Sequence, residues 1–189
     1  MPKSLIFPRS KVFALKYGEC TEDFYADLEQ SDLGPEGTGP DDESFGRYLE
    51  LLDRGDIVSR GENEHDRWVS ILQLYDVADM LEDPKSANMV LDKIAEALHQ
   101  EGLRPVLLGA IYHSIYGMGY ELLFLQELIL DFMTTCMTSR ELDDLLGKDF
   151  RWKEEVLRDL ALGPVRQREK EGKTPQKKLE RLDKYYMKV

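Results

Sequence analysis

The feature that most constrains the fold is a dipeptide, Asp83-Pro84, that separates two amphipathic segments. Apolar side chains recur every three or four residues on both sides of it, which is typical of helices with one buried face. An aspartate at such a position caps the free amides of a helix, and proline suits the first helical turn because its missing amide needs no partner there. Proline also disfavours helical geometry at the residue before it. The sequence therefore predicts two helices, residues 66–82 and 84–100, joined by a tight corner.

We expect these two helices to pack against each other through six apolar side chains, namely Tyr75, Ala78, Leu81, Val90, Leu91 and Ile94. An earlier helix is predicted to start at Asp41 or Asp42 and to end at Gly55. Later helices are predicted at residues 105–116, 120 to about 134, 139–146 and about 152–162. The capping box "TSRE" opens the third of these. With at most a few short strands elsewhere, such as "SLIF", the fold class is mainly α, or α+β at most.

Charge is distributed unevenly along the 189 residues. The chain carries a net charge of −12, yet residues 166–189 hold nine Lys and Arg against four Asp and Glu. The acidic remainder disfavours binding to nucleic acid, whose phosphates attract basic surfaces. No apolar run reaches the roughly 18 residues of a membrane span, and the amino terminus has no secretory pattern. These features, with two distant cysteines, favour a reducing cytoplasmic or nuclear setting and no membrane.

The basic carboxy-terminal segment is the candidate partner-binding surface. Thr174-Pro175 is predicted to open a last helix, so that residues 166–189 form a separable basic tail helix. One side of it carries a narrow apolar stripe, and the flanks carry basic residues. The predicted partner-binding residues are Leu179, Leu182, Tyr186, Lys177, Lys178 and Arg181, with Lys184 adding charge beside them. The alternative interpretation is a solvated terminal helix, the usual state of a charged run.

Sequence motifs predict no catalytic, cofactor-binding or metal-binding residues. "EGKT" lacks the first glycine of a phosphate-binding loop, and "GMGY" lacks the third glycine of a dinucleotide-binding turn. "GENEHD" contains potential metal ligands but is more typical of a solvated loop. A stripe of aromatic and methionine residues is consistent with a core or with a partner groove. Its members are Tyr112, Tyr116, Tyr120, Phe124, Phe132 and Met133.

The corner "ILQLYDVADMLEDPKSANMVLDKI" resembles the helix pair of fungal BTB/POZ-domain proteins, in which a Leu-Tyr-x-x-Ala-Asp-x-Leu-x-Asp-Pro run recurs. Three further segments resemble that family in the same order: "FPRSKVFA", "PDDESFGRYLELLDRGDI" and "LGAIYHSIYGMGYELLFLQELILDFM". The resemblance covers roughly residues 5–165. It implies a BTB/POZ-like helical core with a small or partial sheet at residues 1–103, followed by a helical extension at residues 104–165. The first strands of such domains are expected to be absent.

The resemblance implies a non-enzymatic protein–protein interaction module that mediates homo- or hetero-dimerisation. Some members of the family act as adaptors and bind cullin-type ubiquitin-ligase scaffolds or transcriptional regulators. We therefore expect self-association or a partner that completes the sheet, because an open sheet edge or a bare helix face attracts another chain. The alternatives are an enzyme with a diffuse site and an acidic helical regulatory protein unrelated to this family.

Overall fold

The described part of the chain is built from helices. A computed structural model of the protein describes residues 9–10, 12, 42–114, 123–146, 154–177, 179 and 181–187. The helices are α1 (Asp42–Arg54), α2 (Glu64–Met80), α3 (Pro84–Leu98), α4 (Arg104–Tyr112), α5 (Leu123–Cys136), α6 (Ser139–Leu146) and α7 (Glu154–Lys170), with a short 3-10 turn at Leu182–Lys184. No strand occurs among these residues. The mainly α prediction is confirmed, and the strand predicted at "SLIF" lies outside the described residues.

The chain divides into two compact units, and the boundary falls inside α3. The first unit contains Met1–Leu91 and Met187–Val189, and the second contains Asp92–Tyr186. No helix within the described residues is both long enough and apolar enough to cross a membrane.

The core of the first unit contains the side chains predicted around the corner. Tyr75, Ala78, Leu81, Val90 and Leu91 are at most 1% exposed, and Ile94, beyond the boundary, is fully buried. The extensive helix contact of α2, however, is with α1. The predicted burial of these side chains is confirmed. Their direct packing between α2 and α3 stays a prediction.

Capping explains where the helices of the first unit start and end. Gly55 ends α1 with a φ of 72°, a conformation that glycine adopts without steric cost, and its amide donates to the Leu51 carbonyl at 2.8 Å. The helix α2 starts two residues before the predicted position because Asn63 is its N-cap. The Asn63 side-chain oxygen accepts from the Asp66 amide at 3.0 Å. The α1 prediction is thus confirmed and the α2 start is shifted.

In the second unit, α7 contacts both α5 and α6. The predicted capping box is confirmed at the start of α6. The Glu141 amide donates to Thr138 Oγ1 at 3.2 Å, and the Thr138 amide donates to Glu141 Oε2 at 2.8 Å. Each side chain therefore satisfies an amide that the helix leaves without an intrahelical partner.

The helix α7 is longer than its sequence predicts, because it continues through Gly163 and Pro164 to Lys170. A proline inside a helix removes one backbone hydrogen bond and costs about 3 kcal/mol. Contacts of the extra turns oppose that cost. Val165 is fully buried, Arg168 donates to the backbone carbonyls of Thr134 and Met137, and Glu169 accepts from the Ser139 amide at 2.9 Å. The predicted end at Leu162 is wrong.

The basic tail helix predicted from Thr174 is also wrong for the described residues. Gly172 follows α7 with a φ of 71°, and the 3-10 turn at Leu182–Lys184 is the helical element described beyond it. Within this segment Tyr185 is only 1% exposed, so a buried aromatic ring rather than an apolar helix stripe anchors it. That residues 166–189 are separable from the body stays a prediction.

Candidate functional site

The corner between α2 and α3 is a helix end and a helix start fused in three residues. The Glu82 amide donates to the Asp79 carbonyl at 2.9 Å, and the Asp83 amide donates to the Ala78 carbonyl at 2.8 Å. These two bonds form a Schellman motif, which satisfies the last carbonyls of a helix. Glu82 takes the left-handed position of that motif with a φ of 48°, where glycine is usual. The corner is therefore built with local backbone strain.

Asp83 also starts the next helix. One of its carboxylate oxygens, Oδ1, accepts from the backbone amides of Lys85 and Ser86, both at 3.1 Å. Pro84, directly after Asp83, occupies the first helical position. The cap predicted from the sequence is confirmed, and the same residue closes the Schellman motif and opens α3.

The second carboxylate oxygen of Asp83 is the centre of a buried polar group that we call the corner cluster: Arg9, Tyr48, Asp83 and Ser86. Asp83 Oδ2 accepts from the Tyr48 hydroxyl at 3.0 Å and from the Ser86 hydroxyl. Arg9 Nε lies 3.3 Å from the same oxygen, and Arg9 Nη2 donates to Ser86 Oγ at 2.6 Å. The cluster connects three distant parts of the first unit.

The corner cluster is structural rather than catalytic in its geometry. The Asp83 side chain is fully buried, and its oxygens already accept from two backbone amides and two hydroxyls. Burial, followed by the negative charge of Asp83, raises the pKa of Tyr48 far above its ordinary value. The phenol therefore stays protonated and acts as a hydrogen-bond donor. A buried charge with this many partners stabilises one arrangement of the chain.

An acidic stripe runs from the last turns of α2 into the corner and consists of Asp76, Asp79 and Glu82. Burial, followed by the charge of Asp79, raises the pKa of Asp76 to about 6. Burial and the charge of Glu82 also raise the pKa of Asp79. Beside them, the Tyr75 hydroxyl is buried without a hydrogen-bond partner in the described part of the chain. The negative charges of these carboxylates repel one another, so the ionised form of each side chain is destabilised.

The second unit holds its carboxy-terminal segment through a group that we call the clasp: Asp92, Asp131, Lys184, Tyr185 and Tyr186. Asp131 on α5 accepts from the Lys184 ammonium and from the Tyr185 hydroxyl. Asp92 on α3 accepts from the Tyr186 hydroxyl. The Lys184 ammonium also lies 4.7 Å from the centroid of the Tyr185 ring. Two helix carboxylates therefore bind three consecutive side chains of an irregular segment.

The hydrogen bonds and charges around Asp131 in the clasp favour its ionised form. Burial alone would raise the pKa of Asp131, but hydrogen bonds from Lys184 and Tyr185 and the charge of Lys184 lower it below its usual range. Burial and the hydrogen bond to Asp131 raise the pKa of Tyr185 to about 12. At neutral pH the carboxylate is therefore ionised and both donors keep their protons.

The predicted partner-binding residues do not share a helix face. Leu179, Leu182 and Tyr186 are half-buried, Lys177 and Arg181 are exposed, and Lys178 lies outside the described residues. The sequence offered no signal for the two carboxylates that hold the segment. Asp131 interrupts the apolar sequence of α5, and its interaction with Lys184 spans 53 residues.

The segments that contain potential metal or phosphate ligands lie at helix ends, where their charged side chains form ion pairs. "GENEHD" contains the N-cap of α2, where Arg67 pairs with Glu64 at 3.1 Å. "EGKT" follows a helix rather than a strand, and Lys173 pairs with Glu171 at 2.8 Å. Burial raises the pKa of the Cys136 thiol, which disfavours the reactive thiolate. Within the described ranges, no group of three or more His, Cys, Asp and Glu side chains is arranged to hold a metal ion.

The aromatic and methionine stripe divides between core and surface. Phe132 and Met133 are buried, whereas Phe124 is 39% exposed. The Phe132 ring contacts His99 edge to face at a centroid distance of 5.3 Å, and the Arg104 guanidinium lies 5.2 Å from the ring centroid. The core interpretation therefore holds for two of the six predicted members. The side chains of Tyr112, Tyr116 and Tyr120 lie outside the described residues.

Comparison of the chain with protein-family models, with curated proteins and with solved structures finds no match.

Proposed function

We propose that the protein is a non-enzymatic protein–protein interaction module that forms homo- or hetero-dimers in the cytoplasm or nucleus. The clasp is the observation that carries the proposal. In the clasp, two carboxylates of a helical unit accept hydrogen bonds from an irregular segment. One side chain of that segment, Tyr185, is buried. Tyrosine and arginine anchors surrounded by polar contacts are the usual energetic centres of protein interfaces. The contact between the unit and its own carboxy-terminal segment is therefore of the type by which a protein binds a peptide from a different chain.

The resemblance to fungal BTB/POZ-domain proteins supports the same proposal from the sequence. Its clearest motif ends in Asp83-Pro84, the residues around which the corner cluster is organised. A corner held by a buried charge gives a rigid scaffold, and rigid scaffolds lose little conformational entropy on binding. By this resemblance, the partner is a second copy, a cullin-type ubiquitin-ligase scaffold or a transcriptional regulator, and the protein serves as an adaptor.

Co-expression of two differently tagged full-length copies tests the proposal. We expect one tag to recover the other copy, or a distinct partner protein to co-purify in constant proportion from the native cell. The matched control is the Ala78→Asp variant, which places a carboxylate at a fully buried position and should lose the interaction together with the fold. Recovery of neither a second copy nor a stoichiometric partner by the native chain would refute an interaction role.

A further inference from the structure

Of the three side chains that the clasp holds, only that of Tyr185 is fully buried. Tyr185 is 1% exposed, whereas the side chains of Lys184 and Asp131 are 50% and 37% exposed. Tyr186 is half-buried and donates to the exposed Asp92. Solvent and competing ligands therefore reach the polar contacts of the clasp while the tyrosine ring remains in place.

The segment that leads to the clasp can leave without unfolding α7. Gly172 ends the helix with a φ of 71°, and the described residues 173, 174, 176 and 177 are exposed. Their described backbone link to α5 is one hydrogen bond, from the Gln176 amide to the Thr135 carbonyl at 2.9 Å. The 13 residues from Gly172 to Lys184 span up to about 40 Å when extended. Beyond the clasp, the Met187 amide donates to Asn88 Oδ1 at 2.9 Å within the first unit.

We propose that Asp92 and Asp131 form a recognition site for a partner peptide in which a lysine or arginine is followed by two tyrosines, and that residues 184–186 of the chain occupy this site until such a peptide displaces them. The inference rests on the proposed interaction function and specifies its partner. The chemistry of the ligand is taken from the contacts of the chain itself. The carboxylate at 131 requires a cation and a hydroxyl donor side by side, and the buried position requires an aromatic ring.

Charge complementarity favours a basic partner at this site. Residues 1–165 carry 33 acidic against 16 basic side chains, so the field of the protein attracts basic peptides and raises their association rate. The tethered segment competes at an effective concentration in the millimolar range, as expected for a flexible linker of this kind. Weakening the tethered contact should therefore reveal the affinity of the site for a free peptide.

A displacement experiment with the full-length chain tests the inference. The probe is a fluorescein-labelled synthetic peptide with the sequence of residues 176–189, and its binding is measured by fluorescence anisotropy. The host variant Lys184→Glu places a negative charge against Asp131 and weakens the tethered contact. We expect this host to bind the probe at least about tenfold more tightly than the native chain, because removing the competitor frees the site.

The matched control host is Lys177→Glu, which makes the same charge change at an exposed position of the same segment. It should bind the probe no better than the native chain. Adding Asp131→Asn to the Lys184→Glu host should abolish the gain, and a probe with glutamate in place of its lysine at position 184 should fail to bind. Circular dichroism of each host at the same temperature confirms that the helices are retained.

Equal probe binding by the Lys184→Glu and Lys177→Glu hosts would overturn the inference, as would binding that does not change with Asp131→Asn. If the Lys184→Glu host binds full-length native chain but not the probe, a second copy occupies the site and the partner-peptide proposal is wrong. In that case self-association remains intact, so failure of this inference is distinguishable from failure of the proposed function.

Discussion

Replacing Asp83 with alanine should destabilise the first unit more than any other loss of a helix cap in the described chain. The substitution removes the oxygen that caps α3 and the carboxylate that accompanies Arg9 in the interior. It also leaves the Tyr48 hydroxyl, itself buried, without its acceptor. Three separate interactions of the corner cluster are lost together.

The expected cost is taken from the loss of the cap and of the ion pair. Removing an N-cap costs about 1 kcal/mol. Removing one partner of a buried ion pair costs about 3–5 kcal/mol, and the lower end applies because the Arg9 side chain is 15% exposed. We expect Asp83→Ala to lower the free energy of unfolding by about 4 kcal/mol, a large share of a typical total of about 5–15 kcal/mol. Asp83→Asn retains a cap acceptor and loses the charge, so it should cost about 1–3 kcal/mol.

Urea denaturation followed by the fluorescence of Trp68 measures this cost, because Trp68 is buried in the first unit. A Trp152→Phe background removes the other tryptophan signal. The matched control is Asn63→Ala, which removes the exposed N-cap of α2 and should cost about 1 kcal/mol. If Asp83→Ala costs no more than Asn63→Ala, the corner cluster contributes only a cap and our account of its buried charge is wrong.

Three further substitutions test the corner and the acidic stripe. Ala78→Asp should lower the unfolding free energy by about 3 kcal/mol or more, because it buries an unpaired carboxylate at a fully buried position; an unchanged melting temperature would contradict the face assignment. Glu82→Gly should be about 1 kcal/mol more stable than Glu82→Ala, because both variants remove the same charge and only glycine relieves the φ of 48°. Asp76→Asn should raise stability near pH 7 by about 1 kcal/mol, because the folded pKa of about 6 lies above the unfolded value of 3.8 and penalises the charged form, while solvent screens this half-buried group. The native chain should therefore gain stability from this group as the pH falls from about 7 to about 4, and the asparagine variant should lose that gain in denaturation curves measured across this range.

Local rules explain which parts of the fold the sequence predicts. The corner at Asp83-Pro84 and the capping box at Thr138 depend on residues within four positions of each other, so their chemistry is visible in a short window. The end of α1 at Gly55 follows from the same kind of rule, because a left-handed residue is needed there. Side-chain burial at the corner was also predictable from helical periodicity.

The features of the fold that the sequence did not predict depend on interactions between residues far apart in the chain. The helix α7 passes Pro164 because Arg168 binds carbonyls 31 and 34 residues earlier in the chain. The carboxy-terminal segment is not an α-helix because Tyr185 is held by Asp131, 54 residues away. Helix propensity and charge patterns in a local window contain neither contact, so the sequence predicted a helix end and a free helix instead. The same separation concealed the carboxylates of the candidate site.

Light scattering on the purified full-length protein tests the central claim most directly, because a module that forms homo- or hetero-dimers should not remain alone in solution. A monomer has a mass of 21.9 kDa. We predict a mass near twice that value at roughly tens of micromolar, falling towards the monomer on dilution as expected for a reversible dimer. A mass of 21.9 kDa at every concentration up to about 100 µM, in a preparation that also retains no partner protein, would contradict the account.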